Sequence, residues 1–308
     1  MSTTHQINKS KPWFLAARPK TLTGAAVPII IALSLAFNDN ERQLIFLPAL
    51  LCLLFALIMQ IDANFINDYF DFKKGDDNEE RLGPPRACAQ GWITPREMEI
   101  AILITTSIAA LIGLPLIFIG GLWTIYVGVV CVIMCFLYTM LFAQKGLGDL
   151  LVILFFGIIP ICATYYLQCN TLPIHTILIS ISCGLVVDTL LLVNNIRDID
   201  NDKKCSKRTL VVLIGRSNSI KLYLFVGILA CALNLSFLPS RLFIAAFLPL
   251  LYLLPHIKNW RRLSKAAWLP QSSPMYAEEM NQLLALTSAA IMIYGLLLSI
   301  SLIAESFI

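Results

Sequence analysis

The chain has 308 residues, 58% of them hydrophobic and only 14% charged, with a net charge of +4. Soluble domains carry about 25% charged residues. The composition therefore excludes an ordinary soluble fold and predicts an all-α polytopic membrane protein, one domain over 1–308, with its length taken up by membrane spans. Nine cysteines are scattered without a CxxC pair, which indicates neither a disulfide framework nor a zinc site. No basic arm or aromatic–basic module is present, so nucleic acid is not an expected partner. No obligate protein partner is implied either.

The chain opens MSTTHQINKSKPWFLAARPKTL. This stretch is polar and basic and lacks the compact apolar core and cleavage site of a signal peptide. The first span is expected to serve as an uncleaved insertion signal. A spanning helix needs about 20 mainly apolar residues, and nine candidates follow: 22–37, 44–64, 98–119, 122–142, 150–168, 174–193, 220–238, 242–254 and 283–303. The first contains Pro28 and the eighth Pro249. Helices satisfy their own backbone in lipid, so a helix bundle is expected. With nine spans, all of the 23 basic residues except Arg42 and Arg241 fall on one side. By the positive-inside rule that side is cytoplasmic, which puts the N-terminus inside and the C-terminus outside.

Two charged segments share that side. After the second span comes NFINDYFDFKKGDDNEERLGPPRACAQG, with Asn64, Asn67, Asp68, Asp71, Asp76 and Asp77. If the helix continues, Asn64, Asp68 and Asp71 share a face, as do Asn67 and Asp71. After the sixth span comes NNIRDIDNDKKCSKRTL, beginning Asn194 and Asn195. Asp198 and Asp202 are four apart and share a face, while Asp200 points elsewhere. Cations accompany both: Lys73, Lys74, Arg81 and Arg86 in one, Arg197, Lys203, Lys204, Lys207 and Arg208 in the other. Carboxylate and amide oxygens without histidine or thiolate suit Mg²⁺, which binds through one or two carboxylates, waters and substrate phosphates. Arginine and lysine suit the remaining phosphate oxygens. The pattern predicts a diphosphate held through magnesium between two facing carboxylate clusters. Solvated mixed-charge loops are the plainer explanation, but two such loops at span ends on one face argue against it.

Two intramembrane carboxylates remain, Asp62 and Asp188, and such residues are functional candidates by default. Asp62 could extend a polar cavity; Asp188 has no evident partner in the sequence. His5, His175 and His256 are remote from both motifs, so a histidine base is not expected. The loop 255–281 is rich in Lys, Arg, Trp and Pro and is expected to anchor at the membrane surface, with Trp260 and Trp268 at the interface.

NDYFD followed by KKGDDNEERLGPPRACAQGWI, together with NNIRDIDNDKKCSKRTLVVLIG, resembles the UbiA superfamily of intramembrane aromatic prenyltransferases. The similarity is strongest to its 1,4-dihydroxy-2-naphthoate polyprenyltransferase branch. RPKTL, GLGDL, FFG and TYYLQ also fit that branch, and the resemblance covers nearly the whole chain. It implies nine transmembrane helices around a central cavity. It implies Mg²⁺-dependent transfer of a polyprenyl group from polyprenyl diphosphate to 1,4-dihydroxy-2-naphthoate, with loss of CO₂, giving demethylmenaquinone in the bacterial inner membrane. It places Asn67, Asp68 and Asp71 in the first metal–diphosphate motif and Asp198 and Asp202 in the second. Lys20, Arg81, Arg86 and Lys207 would touch diphosphate, with Asn64, Asn195, Arg197 and Tyr138 as further substrate contacts. The third acidic position of the superfamily's first motif is Gly75 here, which leaves the role of Asp76 open. An allylic carbocation-like centre needs shelter from water, and aromatic faces can provide it; Tyr69, Tyr138, Tyr165 and Tyr166 are candidates. Alternatives are the same chemistry on 4-hydroxybenzoate, haem or a chlorophyll precursor, or a secondary transporter using Asp62 and Asp188. The DGxxAR signature of CDP-alcohol phosphotransferases is absent.

Overall fold

The computed structural model describes residues 10–75, 82–83 and 85–308. Among the described residues every regular element is helical. A short α1 (Ser10–Ala17) leads through a 3₁₀ turn (Pro19–Thr21) into α2 (Leu22–Asp39). α3 (Phe46–Lys74), α4 (Pro95–Gly120) and α5 (Trp123–Leu137) follow, the last continuing as a π-helical turn (Tyr138–Phe142). α6 (Gly148–Ile153), a second π turn (Leu154–Ile158) and α7 (Ile159–Cys169) form one continuous rod. α8 (Ile174–Lys204), a short α9 (Leu210–Ile214) and α10 (Arg216–Asn234) come next. The chain ends with α11 (Phe243–Phe247), a 3₁₀ turn (Leu248–Tyr252), α12 (Leu253–Ala266) and α13 (Pro274–Glu305).

Eight of these helical runs are long and apolar enough to cross a membrane. The ninth expected span, 242–254, is not one continuous helix but the α11–3₁₀–α12 run. Pro249 enters the 3₁₀ turn at its start, since proline lacks the N–H an α-helix interior needs. The run still traverses the bundle. At one end the Ile244 N–H donates to Glu305, the last residue of α13. At the other end Arg262 pairs with Glu279, near the start of α13, at 2.7 Å.

The two motifs are helical rather than looped. α3 continues ten residues beyond the apolar run, because nothing from Asn64 to Lys74 breaks it and Phe65, Ile66 and Tyr69 stay buried. Lys73 and Lys74 complement the carbonyl end of its dipole, and Gly75, with φ +75°, caps it in the left-handed conformation. α8 runs on past its apolar stretch in the same way and ends at Lys203 and Lys204. The segment 255–281 is also more helical than expected. Trp260 packs against the core, whereas Trp268 is exposed beneath Arg216.

α5 buries none of its residues, and α4 shows an outward face of Leu103, Ile104, Leu111 and Phe118. These apolar surfaces suit lipid. α8 is the most enclosed span, and it meets the α6–α7 rod with almost no intervening side chain. A Cβ on Gly157 would lie 2.3 Å from the Ser180 carbonyl oxygen, and one on Gly184 2.7 Å from that of Ile153. Small residues let membrane helices approach this closely.

Candidate active site

A cavity of about 950 Å³ runs into the bundle, apolar along most of its wall and polar at one end. The polar end is formed where α3 and α8 finish and α6 begins. Asn67, Asp71, Lys20, Arg86, Tyr138, Asn195, Arg197, Asp198, Asp202 and Lys207 all line it. The two motifs therefore face each other across one space. Asp200 turns away, as the helical spacing predicts, and pairs with Arg216 at 3.0 Å.

Each motif holds a carboxylate already matched by an arginine. Arg86 Nη2 donates to Asp71 Oδ2 at 2.8 Å, in a pair that is largely buried. Arg197 donates twice to Asp198, from Nε at 2.8 Å and from Nη2 at 2.6 Å. Nη2 also donates to Asn194 Oδ1 at 2.8 Å, and Nη1 donates to Asn281 Oδ1 at 3.0 Å. Arg197 is 1% exposed and orients Asp198. It carries less capacity for a substrate anion than its position in the sequence suggests. Asn281 also donates to the Leu82 carbonyl at 3.1 Å, tying α13 to the first motif's return loop.

Two expected site residues do not line the cavity. Asp68 is 1% exposed and its oxygens accept from the Ala87 and Cys88 N–H groups, both at 2.9 Å. One turn apart on a helix is not the same direction: Asp68 faces the returning loop and fixes the backbone beside Arg86, while Asp71 faces the cavity. Asn64 donates to the Ala17 carbonyl at 2.9 Å and to Thr21 Oγ1 at 3.0 Å. It thereby holds the 3₁₀ turn that carries Lys20. Arg81, Asp76 and Asp77 lie outside the described residues.

Of the four candidate tyrosines, only Tyr138 lines the cavity. Tyr69 is buried and bonds Glu99 and Lys73. Tyr165 donates to Asp39 at the opposite end, at 2.7 Å, and Tyr166 stacks edge-on against Trp123. The π turn beginning at Tyr138 sets the local geometry. Thr139 within it donates to Asn67, and Lys74 Nζ donates to the Thr139 carbonyl at 2.9 Å. Single π turns of this kind recur at functional sites. Asp62 does not reach the cavity wall. It accepts from Thr105 at 2.5 Å and Thr106 at 2.8 Å and clamps α3 to α4.

Asn194, which opens the second motif, also lines the cavity, as do Asp149, Asn201 and Thr139, which the sequence had not singled out. Asp149 had a usable signal, a carboxylate at the threshold of an apolar span. Placing that span at 150–168 left it outside by one residue.

The sequence profile of the UbiA prenyltransferase family matches residues 25–276. The chain belongs to the UbiA prenyltransferase family. This UbiA protein is 37% identical to the 1,4-dihydroxy-2-naphthoate octaprenyltransferase of Escherichia coli (strain K12) over 74% of its own length and 77% of that protein's. It is 36% identical to the protein of the same description in Haemophilus influenzae, over 67% of its length and 70% of that protein's. Among solved structures, the UbiA homolog from Aeropyrum pernix K1 superposes with a TM-score of 0.63 at 13% identity, covering 90% of this chain and 97% of that one. A UbiA homolog from Archaeoglobus fulgidus bound to GPP and Mg²⁺ superposes with a TM-score of 0.57 at 14% identity, over 95% and 99% of the two chains. These structures share the fold. As a UbiA prenyltransferase with many apolar helices, the protein is an integral multi-pass membrane protein.

A UbiA site implies a divalent cation. Among the described residues no three His, Cys, Asp or Glu side chains converge as a ready-made cage. Mg²⁺ does not require one, since it keeps waters and shares substrate phosphates. The facing oxygen donors of Asn67, Asp71, Asp198 and Asp202 fit that mode of binding.

Proposed function

We propose that this chain transfers a polyprenyl group from polyprenyl diphosphate to 1,4-dihydroxy-2-naphthoate in the bacterial inner membrane, releasing diphosphate and CO₂ and giving demethylmenaquinone. The observation that carries the reading is the pair of carboxylate motifs facing each other at the polar end of an otherwise apolar cavity. The naphthoate acceptor is supported by the relatives at 36–37% identity, whose descriptions name that substrate. The N-terminus is assigned to the cytoplasm and the C-terminus to the outside.

In this reading Asp71, Asp198 and Asp202, with Asn67, hold Mg²⁺, and Lys20, Arg86 and Lys207 take diphosphate oxygens. Bound Mg²⁺ adds positive charge where the leaving diphosphate gathers negative charge. Arg86 and Arg197 keep the motif carboxylates aimed before substrate arrives, so little reorganisation is needed at the moment of bond breaking. The apolar wall takes the isoprenoid tail and keeps water from the allylic carbon. Tyr138 presents a ring at the boundary between the polar end and the apolar wall.

Membranes containing the chain, Mg²⁺ and polyprenyl diphosphate are offered dihydroxynaphthoate and 4-hydroxybenzoate in parallel, and products are read by mass. Prenylated, decarboxylated naphthoquinol is the expected product. Prenylated hydroxybenzoate in its place would reassign the acceptor, and no prenyl transfer to any aromatic would remove the reading.

A further inference from the structure

Beside the two motifs lies a second pair of acidic groups, of which one reaches the cavity. Asp149 lines the cavity at the start of α6. Asp188 lies behind it on α8 and is 2% exposed. The helix register brings them together. The Cβ position of Gly148 is 3.5 Å from Leu191, and that of Gly184 is 2.8 Å from the Ile153 Cα. Asp149 and Asp188 fall between these two contacts, on the facing stretches of α6 and α8. In each, Oδ1 is buried and receives no hydrogen bond. Among the described residues no cation forms a salt bridge to either; Arg86 and Arg197 face Asp71 and Asp198. Neighbouring buried carboxyls without a counter-charge do not both ionise; they share one proton. Such a pair is ill suited to the diphosphate, which is itself an anion. It sits next to Tyr138, whose hydroxyl is 3.7 Å from the Gly148 Cβ position, at the edge of the apolar wall.

We propose that Asp149 is the base that takes the hydroxyl proton of the aromatic acceptor, and that Asp188 positions it by holding the shared proton behind it. This rests on the prenyl-transfer reading above. The acceptor O–H bond breaks and its proton joins a carboxylate oxygen of Asp149. The oxygen's electron pair enters the ring, whose carbon bonds to the allylic carbon as the C–O bond to diphosphate breaks with its electrons on the leaving group. Loss of the carboxylate as CO₂ returns a pair to the ring, and Asp149 gives the proton back to the oxygen. No net proton is consumed.

The test uses the full chain in lipid nanodiscs with Mg²⁺, polyprenyl diphosphate and dihydroxynaphthoate. General-base removal costs about 10²–10⁴-fold, so Asp149→Asn is expected to lose about that much kcat while the donor KM moves by less than about threefold. Asp188→Leu is expected to lose more than Asp188→Asn, whose amide N–H can replace the carboxyl O–H toward Asp149. A ring-halogenated acceptor with a more acidic hydroxyl should narrow the gap between Asp149→Asn and wild type by about tenfold or more, a ratio that a folding defect does not change. Full kcat in Asp149→Asn, a loss confined to donor KM, or a gap indifferent to acceptor acidity would each overturn the proposal. A wild type inert toward every aromatic would instead bring down the prenyl-transfer reading and this proposal with it.

Discussion

Asp68 and Asp71 lie three residues apart and do different work. Asp71 shares the cavity with Asp198 and Asp202, whereas Asp68 spends both oxygens on the N–H groups of Ala87 and Cys88. Asp71→Asn is therefore expected to raise the Mg²⁺ concentration for half-maximal activity by about tenfold. Asp68→Asn should leave that concentration within about twofold and raise the donor KM instead, because it loosens the loop that aims Arg86. A Mg²⁺ titration at several donor concentrations separates the two. Arg86→Ala leaves a buried carboxylate without its partner, a change that costs about 2–5 kcal/mol. A fall of about 10²-fold or more in kcat/KM for the donor is expected, and Arg86→Lys should recover little of it, since a point charge does not replace a planar fork. The residue types of both motifs were legible from sequence. Their directions were not, because a helix face acquires meaning only from what packs on it, and the loop that returns to Asp68 lies some twenty residues downstream.

At the level of elements, hydropathy located the eight long apolar helices found among the described residues but not where they end. The last ten residues of α3 and of α8 are too polar to count as span, yet they remain helical because one face stays packed and no breaker intervenes. The π turn at Tyr138–Phe142 has no sequence signature, since it shifts hydrogen bonds by one residue without changing the apolar pattern. It is nevertheless what brings Thr139 to Asn67. Two predictions belong here. Gly184→Ala pushes a methyl into the α6 backbone, and overpacking of this kind costs about 1–3 kcal/mol. A lower thermal midpoint in detergent is expected, with reduced activity, since the same crossing sets Asp149 against α8. Thr106→Val removes one of the two hydroxyls on Asp62. Hydrogen bonds between membrane helices average about 0.6 kcal/mol, so a small loss of thermal stability with activity within about twofold is expected. The transporter alternative requires Asp62 to bind an ion, and Thr106→Val would then abolish function.

Across the whole molecule the two ends are built differently. One end gathers both motifs. The other is closed by short polar clasps: Asp39 with Tyr165 and His175 at 2.7 and 3.0 Å, and Gln168 with both backbone groups of Ile45 at 2.7 and 3.0 Å. Lys20, Arg86, Arg197 and Lys207 line the cavity at the motif end. An alkaline phosphatase fused after Ile308 is expected to be active, as it is only outside the cytoplasm; an inactive fusion would reverse the assigned orientation.

The cavity is wet at one end and oily along its length, and that asymmetry governs how the reaction meets its surroundings. Its donor and product belong to the plane of the bilayer, while the diphosphate it sheds belongs to bulk water. Rates in vesicles should then follow the mole fraction of donor among lipids. Added buffer would leave turnover unchanged, and added empty phospholipid would slow it, a surface dilution that no assay concentration expressed per litre describes.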